Sequence, residues 1–294
     1  RRCGPSTCGR AWGPAVLEFR VPIREWVSSA VDAVRDSLAP LFDGFAAGVE
    51  AAIGAMLTVL QLVPAPGVIL AFAALATGLA GWRVGLFALA GLALVHNVGL
   101  WQPFVQTLSL VLAAQALILV VGVPLGVLAA RSDAVERVLR PVLDFMQTMP
   151  AFVYLIPAVM FFGIGVVPGV VATFVFAIPP LVRLVSLGIR QVPADLIEAA
   201  EAFGSTSWQR LVKVEVPVAR PSIMAGVNQS IMLNLSMVVI AGMIGARGLG
   251  AEVLRGIQRL NVGQGFEAGL AVVVLAIVLD RVTASVGRRR TRDA

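Results

Sequence analysis

Reactive side chains are scarce in this chain of 294 residues. Histidine occurs once, as His96, and lysine once, as Lys213. A zinc site or a histidine-based catalytic dyad needs further partners, and a lone imidazole in an apolar helix more often packs than ligates. A phosphate-cradling GxxxxGK[ST] loop needs its lysine behind a glycine-rich turn, whereas Lys213 sits inside Leu-Val-Lys-Val-Glu-Val-Pro. Cys3 and Cys8 make no disulfide framework. Carriers driven by ion gradients place ionisable groups within their spans as the relay itself. Here the apolar runs are nearly bare: Arg183 lies close to the end of one, and Asp280 and Arg281 can pair or snorkel at the end of another. No cofactor or metal is expected, and energy for any work must arrive from another subunit.

Residues 192 to 221 are the informative polar segment. Pro193 suits a first helical turn, Ala194 to Phe203 are good helix formers, and Gly204 can take the left-handed conformation that ends a helix. Ser205, Thr206 and Ser207 offer N-cap oxygens for a second helix through about Val214, which Pro217 is expected to stop. The product is a helix-turn-helix elbow. Its surface carries Glu198, Glu201, Trp208, Gln209 and Arg210, an aromatic anchor with a few charges suited to a groove on a soluble partner.

The elements that hold this elbow are membrane spans. Hydrophobic residues make up 58% of the chain and charged ones 14%, against about 25% charged in ordinary globular domains. Apolar runs predict one span from about Pro66 to Arg83, two between Val84 and Ala130 broken at Trp101 to Pro103, two between Phe145 and Val182 joined near Gly163 and Gly165, one over Pro221 to Ala246, and one over Ala268 to Leu279. The fold class is therefore all-α, a polytopic transmembrane helix bundle of about seven spans. Residues 1 to 65 form an amino-terminal tail with interfacial or scaffold helices, in which Phe42, Phe45, Val49, Ile53, Met56 and Leu60 recur at helical spacing. The transmembrane domain runs from 66 to 294, with the polar loop at 190 to 217. No signal peptide is expected, since no compact apolar core with a cleavage site follows the first arginines.

The net charge is +6, and its distribution is that of a membrane topology signal rather than a nucleic-acid stripe. Arg83, then Arg131, Arg137 and Arg140, then Arg190, Arg210, Lys213 and Arg220, then the tail Arg288 to Arg292 fall in one set of loops. That set faces the cytoplasm by the positive-inside rule, which puts the carboxyl terminus inside. The tail arginines at the other end, balanced by acids, leave the amino-terminal side open.

The string Glu198, Ala199, Ala200, then Gly204, Val214, Val216 and Pro217 resembles the EAA loop of permease subunits in binding-protein-dependent ABC importers. Further stretches, QTMPAFVYLIP at 147 to 157, MAGVNQSIMLNLSMVVIAGMIGARGLG at 224 to 250 and LAIVLDR at 275 to 281, are similar to the glycine betaine/proline branch for quaternary-ammonium osmolytes, over roughly Trp82 to Arg288. The resemblance implies the ABC type I importer permease fold. It also implies a coupling role for Glu198, Ala199, Ala200, Gly204, Trp208 and Pro217, two ATPase subunits, an extracytoplasmic solute-binding protein, a permease homodimer in the bacterial inner membrane, and no catalysis in this chain. Glu215 departs from the pattern, standing where apolar or amide residues are more usual.

Ser222, Gln229 and Ser236 recur every seven residues on the next span, and Ser230 and Asn234 lie four apart on an adjoining face. They serve either as interhelical hydrogen-bond glue or as the wall of a hydrated pore. Phe152 and Tyr154 either pack or meet a quaternary ammonium by cation–π attraction. Choline, carnitine or another amino acid remains open as substrate, as does an ATP-independent channel or carrier.

Overall fold

The computed structural model describes residues 23 to 289. The tail arginines up to Arg20, both cysteines, and the last basic residues Arg290 and Arg292 lie outside the described residues. Among the described residues every element is a helix: α1 (Ile23–Leu62), α2 (Ala65–Ala80), α3 (Trp82–Asn97), α4 (Trp101–Arg131), α5 (Asp133–Thr148), α6 (Ala151–Phe162), α7 (Val166–Arg190), α8 (Ala194–Ala202), α9 (Ser207–Arg210), one π turn (Leu211–Glu215), α10 (Val216–Met243), α11 (Leu249–Gln258) and α12 (Val262–Arg289). The chain divides into two compact units at Ala39 and Pro40; the first is helical where described, and the second holds everything from Pro40 onward.

Breaks fall where backbone chemistry requires them. Gly81, at φ +98, separates α2 from α3, and these fold back on each other with Gly85 against Thr77. The charge-free stretch after Arg83 breaks at Val98 to Leu100, so α4 begins at Trp101. Met149 is driven extended, ψ 138, by the proline that follows it, and α5 and α6 meet there at a bend of 102°. Gly163 and Gly165, both at positive φ, make the turn from α6 to α7.

Among the described residues five helices are long and apolar enough to cross a membrane, or six if the bent α5–α6 pair counts as one span. The sequence reading of about seven is corrected by helix length. At 16 residues each, α2 and α3 are about 24 Å long, short of a hydrocarbon core of about 30 Å. By the same criterion Val31–Leu62, read from sequence as interfacial, is long and apolar enough to cross. In the second unit, Ile53 of that helix is buried with Leu110, Ala114 and Val170, and Phe42 packs on Phe161 with ring centroids 4.9 Å apart.

The core is built on α4, α7 and α10. Leu92, Phe104, Leu108, Leu235 and Leu275 make one buried cluster, and Ile118, Leu181, Val185 and Leu211 make another. Small residues let the backbones approach, as membrane packing without a hydrophobic drive requires. A Cβ on Gly126 of α4 would lie 2.6 Å from Val185 Cβ on α7, and one on Gly226 of α10 would lie 3.2 Å from the Leu181 Cα. These close contacts hold α7 and α10 rigidly at the two ends of the elbow.

Candidate functional site

The elbow is a locked turn. At the end of α8 the Ser205 N–H donates to the Ala200 carbonyl at 3.1 Å and the Gly204 N–H to the Glu201 carbonyl at 2.9 Å, a Schellman closure with Gly204 at φ +75. A Cβ at Gly204 would touch nothing, so glycine is needed for its conformation and not for space. Thr206 then caps α9 by a capping box: its hydroxyl accepts from the Gln209 N–H at 3.3 Å, and Gln209 Oε1 accepts from the Thr206 N–H at 2.9 Å.

Pro217 does not stop the second helix, which corrects the sequence expectation. The helical path runs from Ser207 to Met243, because the π turn admits the ring. Within it the Val216 N–H donates to the Leu211 carbonyl five residues back. That wider turn relieves the crowding a proline ring imposes on the carbonyl four residues before it. The elbow is therefore continuous with α10.

Glu215 is the buried anchor, 4% exposed. Arg210 Nε donates to its Oε1 at 2.8 Å, and Arg131 Nη2, from the end of α4, lies 3.6 Å from its Oε2. Arg210 also pairs with Glu201 of α8, and Arg131 donates to the Ser207 carbonyl at 2.7 Å. A carboxylate out of water is sustained only by such pairing. The chain Glu201, Arg210, Glu215, Arg131 ties both arms of the elbow to α4.

Outward, α8 buries nothing. Glu198, Ala199, Gly204, Trp208 and Pro217 are exposed and Ala200 is half-buried. Phe203 is 93% exposed and Trp208 68% exposed, two aromatic knobs on either side of the turn, with Leu196 and Val212 also on the surface. Phe203, Glu215 and Arg131 escaped the motif reading. Phe203 is the C-cap immediately before the left-handed glycine, a position that projects; Glu215 was visible only as an unexpected residue in an apolar string.

The second group of candidates divides. Ser230 and Asn234 are fully buried. Ser230 Oγ accepts from Gln115 Nε2 of α4 at 2.8 Å, and Asn234 Nδ2 donates to the Val111 carbonyl at 2.9 Å, so this pair stitches α10 to α4. Gln229 and Ser236 are exposed on another face of α10, alongside Met232, and Ser236 Oγ donates to its own helix at Met232. Phe152 is exposed on α6, whereas Tyr154 is buried beside Ala158 and Met237, its hydroxyl donating to the Met146 carbonyl. His96 is exposed at the end of α3 with its ring centroid 6.0 Å from that of Trp101. Among the described residues no three His, Cys, Asp or Glu side chains converge on a possible metal site.

A helical bundle with several apolar spans and a rigid, ion-paired elbow defines a polytopic membrane permease of the ABC type I importer fold. The chain belongs to the family described as "Binding-protein-dependent transport system inner membrane component", whose model matches residues 122–292. It is 51% identical over 267 residues to the glycine betaine transport system permease protein OpuAB of Bacillus subtilis, covering 91% of this chain and 95% of that protein. It is 49% identical to the glycine betaine/carnitine transport permease protein GbuB of Listeria monocytogenes, covering 92% and 96% respectively. The glycine betaine/proline betaine permease protein ProW of Escherichia coli is also 49% identical, with 91% of this chain and 76% of that protein covered. Among solved structures, a chain of the MetNI methionine ABC transporter in an inward-facing conformation superposes with a TM-score of 0.56 at 25% identity, over 66% of this chain and 95% of that one.

Proposed function

We propose that this permease forms the translocation pathway of an ATP-driven importer for glycine betaine and related quaternary-ammonium osmolytes. The observation that carries the coupling is the elbow: Phe203 and Trp208 stand clear of the bundle while Glu215 and its two arginines fix their mounting. Exposed aromatics on a rigid base are what a docking groove on an ATPase subunit requires. Closure of two ATPase subunits would press on α8 and α9, and the continuous helix from Ser207 passes the movement into α10. Glu198, Ala199, Ala200 and Gly204 shape that contact, and Pro217 marks its inner end.

The substrate class is supported by relatives at 49% to 51% identity whose names specify glycine betaine transport. The Listeria relative, a glycine betaine/carnitine transport permease by name, favours carnitine as the second reading. The exposed face of α10 bearing Gln229, Met232 and Ser236 suits a second copy of the chain across a central pathway, with Phe152 and the polar groups meeting the solute. Tyr154, Ser230 and Asn234 act behind that wall by holding it. An extracytoplasmic solute-binding protein delivers the osmolyte, and the basic loops face the cytoplasm together with the carboxyl terminus.

Uptake of radiolabelled glycine betaine into proteoliposomes holding the chain, its ATPase and its binding protein tests this. Strictly ATP-dependent uptake is expected, with carnitine competing less well. Uptake without ATP would contradict the energy source, and no uptake of betaine alongside ATP-dependent uptake of carnitine would transfer the assignment to the second reading.

A further inference from the structure

An apolar groove of about 800 Å³ opens between α1 and the helices α4, α6 and α7. Phe42 and Phe45 of α1, Leu117 and Val121 of α4, and Phe174 and Val175 of α7 line it, and no polar or charged side chain does. An aromatic clasp closes one edge. Phe42 lies against Phe161 and Phe162 of α6 with ring centroids 4.9 and 5.5 Å apart, and the Phe45 ring is 5.8 Å from that of Phe162. Past that clasp the walls stay apart, and Leu41, which also lines the groove, is 67% exposed.

Depth decides what can fill this space. Leu117 stands one residue past the middle of α4, and Val175 three residues before the middle of α7. Both helices are long and apolar enough to cross a membrane, so the groove opens at the level of the hydrocarbon, where lipid chains and protein are the only materials at hand. Left empty, its walls would forfeit the dispersion contacts that close packing supplies. A volume of about 800 Å³ falls in the range of about 300–1,000 Å³ that houses a bound small molecule. The second copy of the chain belongs on a different side, at the exposed face of α10. On α7 the contacts with α10 run through Gly169 and Gly188, which meet Ala241 and Ser222, and Val171 and Val175 stand about 100° or more around the helix from both.

We propose that this groove holds one acyl chain of a membrane phospholipid as a retained, slowly exchanging ligand that seats α1 against α4 and α7. The walls recognise hydrocarbon and offer a headgroup nothing, so the site is independent of the solute carried.

The test uses the permease–ATPase complex in nanodiscs containing phosphatidylglycerol with a photoactivatable diazirine in mid-chain, followed by mass-spectrometric mapping of the labelled peptides. Labelling of the groove segments of α1, α4 and α7 is expected to exceed that around Val273, a residue 50% exposed on α12. Gly44→Phe should cut the groove labelling about tenfold by taking up the contacts the chain would make, and leave the labelling at Val273 as it was. Gly44 lines the groove and a Cβ there meets nothing within 4 Å, so the added ring has open space to enter. Val121→Phe fills the same space from the α4 wall and should act alike. In detergent, stripping the lipid should lower the melting temperature of the unaltered complex and leave that of the filled variants unchanged. Groove labelling no stronger than at Val273, or unaltered in both variants, would overturn the proposal and leave ordinary bilayer contact. Absent groove labelling would overturn it as well, and a disulfide formed between copies by Phe45→Cys would then name a second copy as the occupant.

Discussion

The elbow and the α4–α10 stitch both place polar residues in a largely apolar chain, and they use them in opposite ways. In the elbow, Glu215, Arg210 and Arg131 are consumed in holding a turn so that Phe203, Trp208 and Glu198 can face outward. In the stitch, Gln115, Ser230 and Asn234 face inward; Gln115 Nε2 donates to Ser230 Oγ and Asn234 Nδ2 to the Val111 carbonyl, while Gln115 Oε1 and Asn234 Oδ1 are buried without a partner. The difference shows that a polar residue in a membrane protein speaks about function only through its partners. Groups with partners hold the frame, and the exposed groups beside them are what the frame presents.

This contrast breaks most visibly at Glu215. Glu215→Ala leaves two arginines around a site with no carboxylate, and with both partly hydrated the expected loss is about 2–4 kcal/mol. It should appear as a lower melting temperature in detergent together with loss of transport, and an unchanged melting temperature would remove Glu215 from its anchoring role. Gly204→Val comes next, since a β-branched residue at a left-handed φ costs about 1–2 kcal/mol locally. The membrane core should keep its melting temperature while ATP-dependent uptake falls at least tenfold, and full uptake would separate the elbow from coupling. Asn234→Leu removes one helix–helix hydrogen bond and should lower stability by about 0.6–1.7 kcal/mol. A larger effect on KM for betaine than on melting would move Asn234 from frame to pathway. Gln229→Leu, on the exposed face of α10, should leave stability within about 0.5 kcal/mol and raise the KM for uptake several-fold; an unaltered KM would take that face out of the pathway.

The sequence reading and the structure agree where local chemistry dominates. Gly204 ends α8, Thr206 caps α9, and Trp101 begins a span, because glycine conformation, capping oxygens and interfacial aromatics act within a few residues. They part where distant segments decide. Pro217 reads as a terminator in isolation, but a π turn over Leu211–Glu215 carries the helix past it. The even ambiguity of Ser230 and Asn234 between glue and pore could not be resolved without knowing that α4 brings Gln115 and the Val111 carbonyl to them. Tyr154 likewise carries no mark in sequence that its hydroxyl is taken by the end of α5. The span count fell from seven because hydropathy alone does not show that α2 and α3 stop at 16 residues each.

The most direct test of the coupling elbow is the affinity of the ATPase subunit for the permease carrying Phe203→Ala and Trp208→Ala together, measured by co-purification and by surface plasmon resonance in detergent. The expected result is at least a thirtyfold loss of affinity, about 2 kcal/mol, with the melting temperature of the permease unchanged because both side chains lie on the surface. An ATPase that still binds with its original affinity would contradict the assignment of this elbow as the coupling surface.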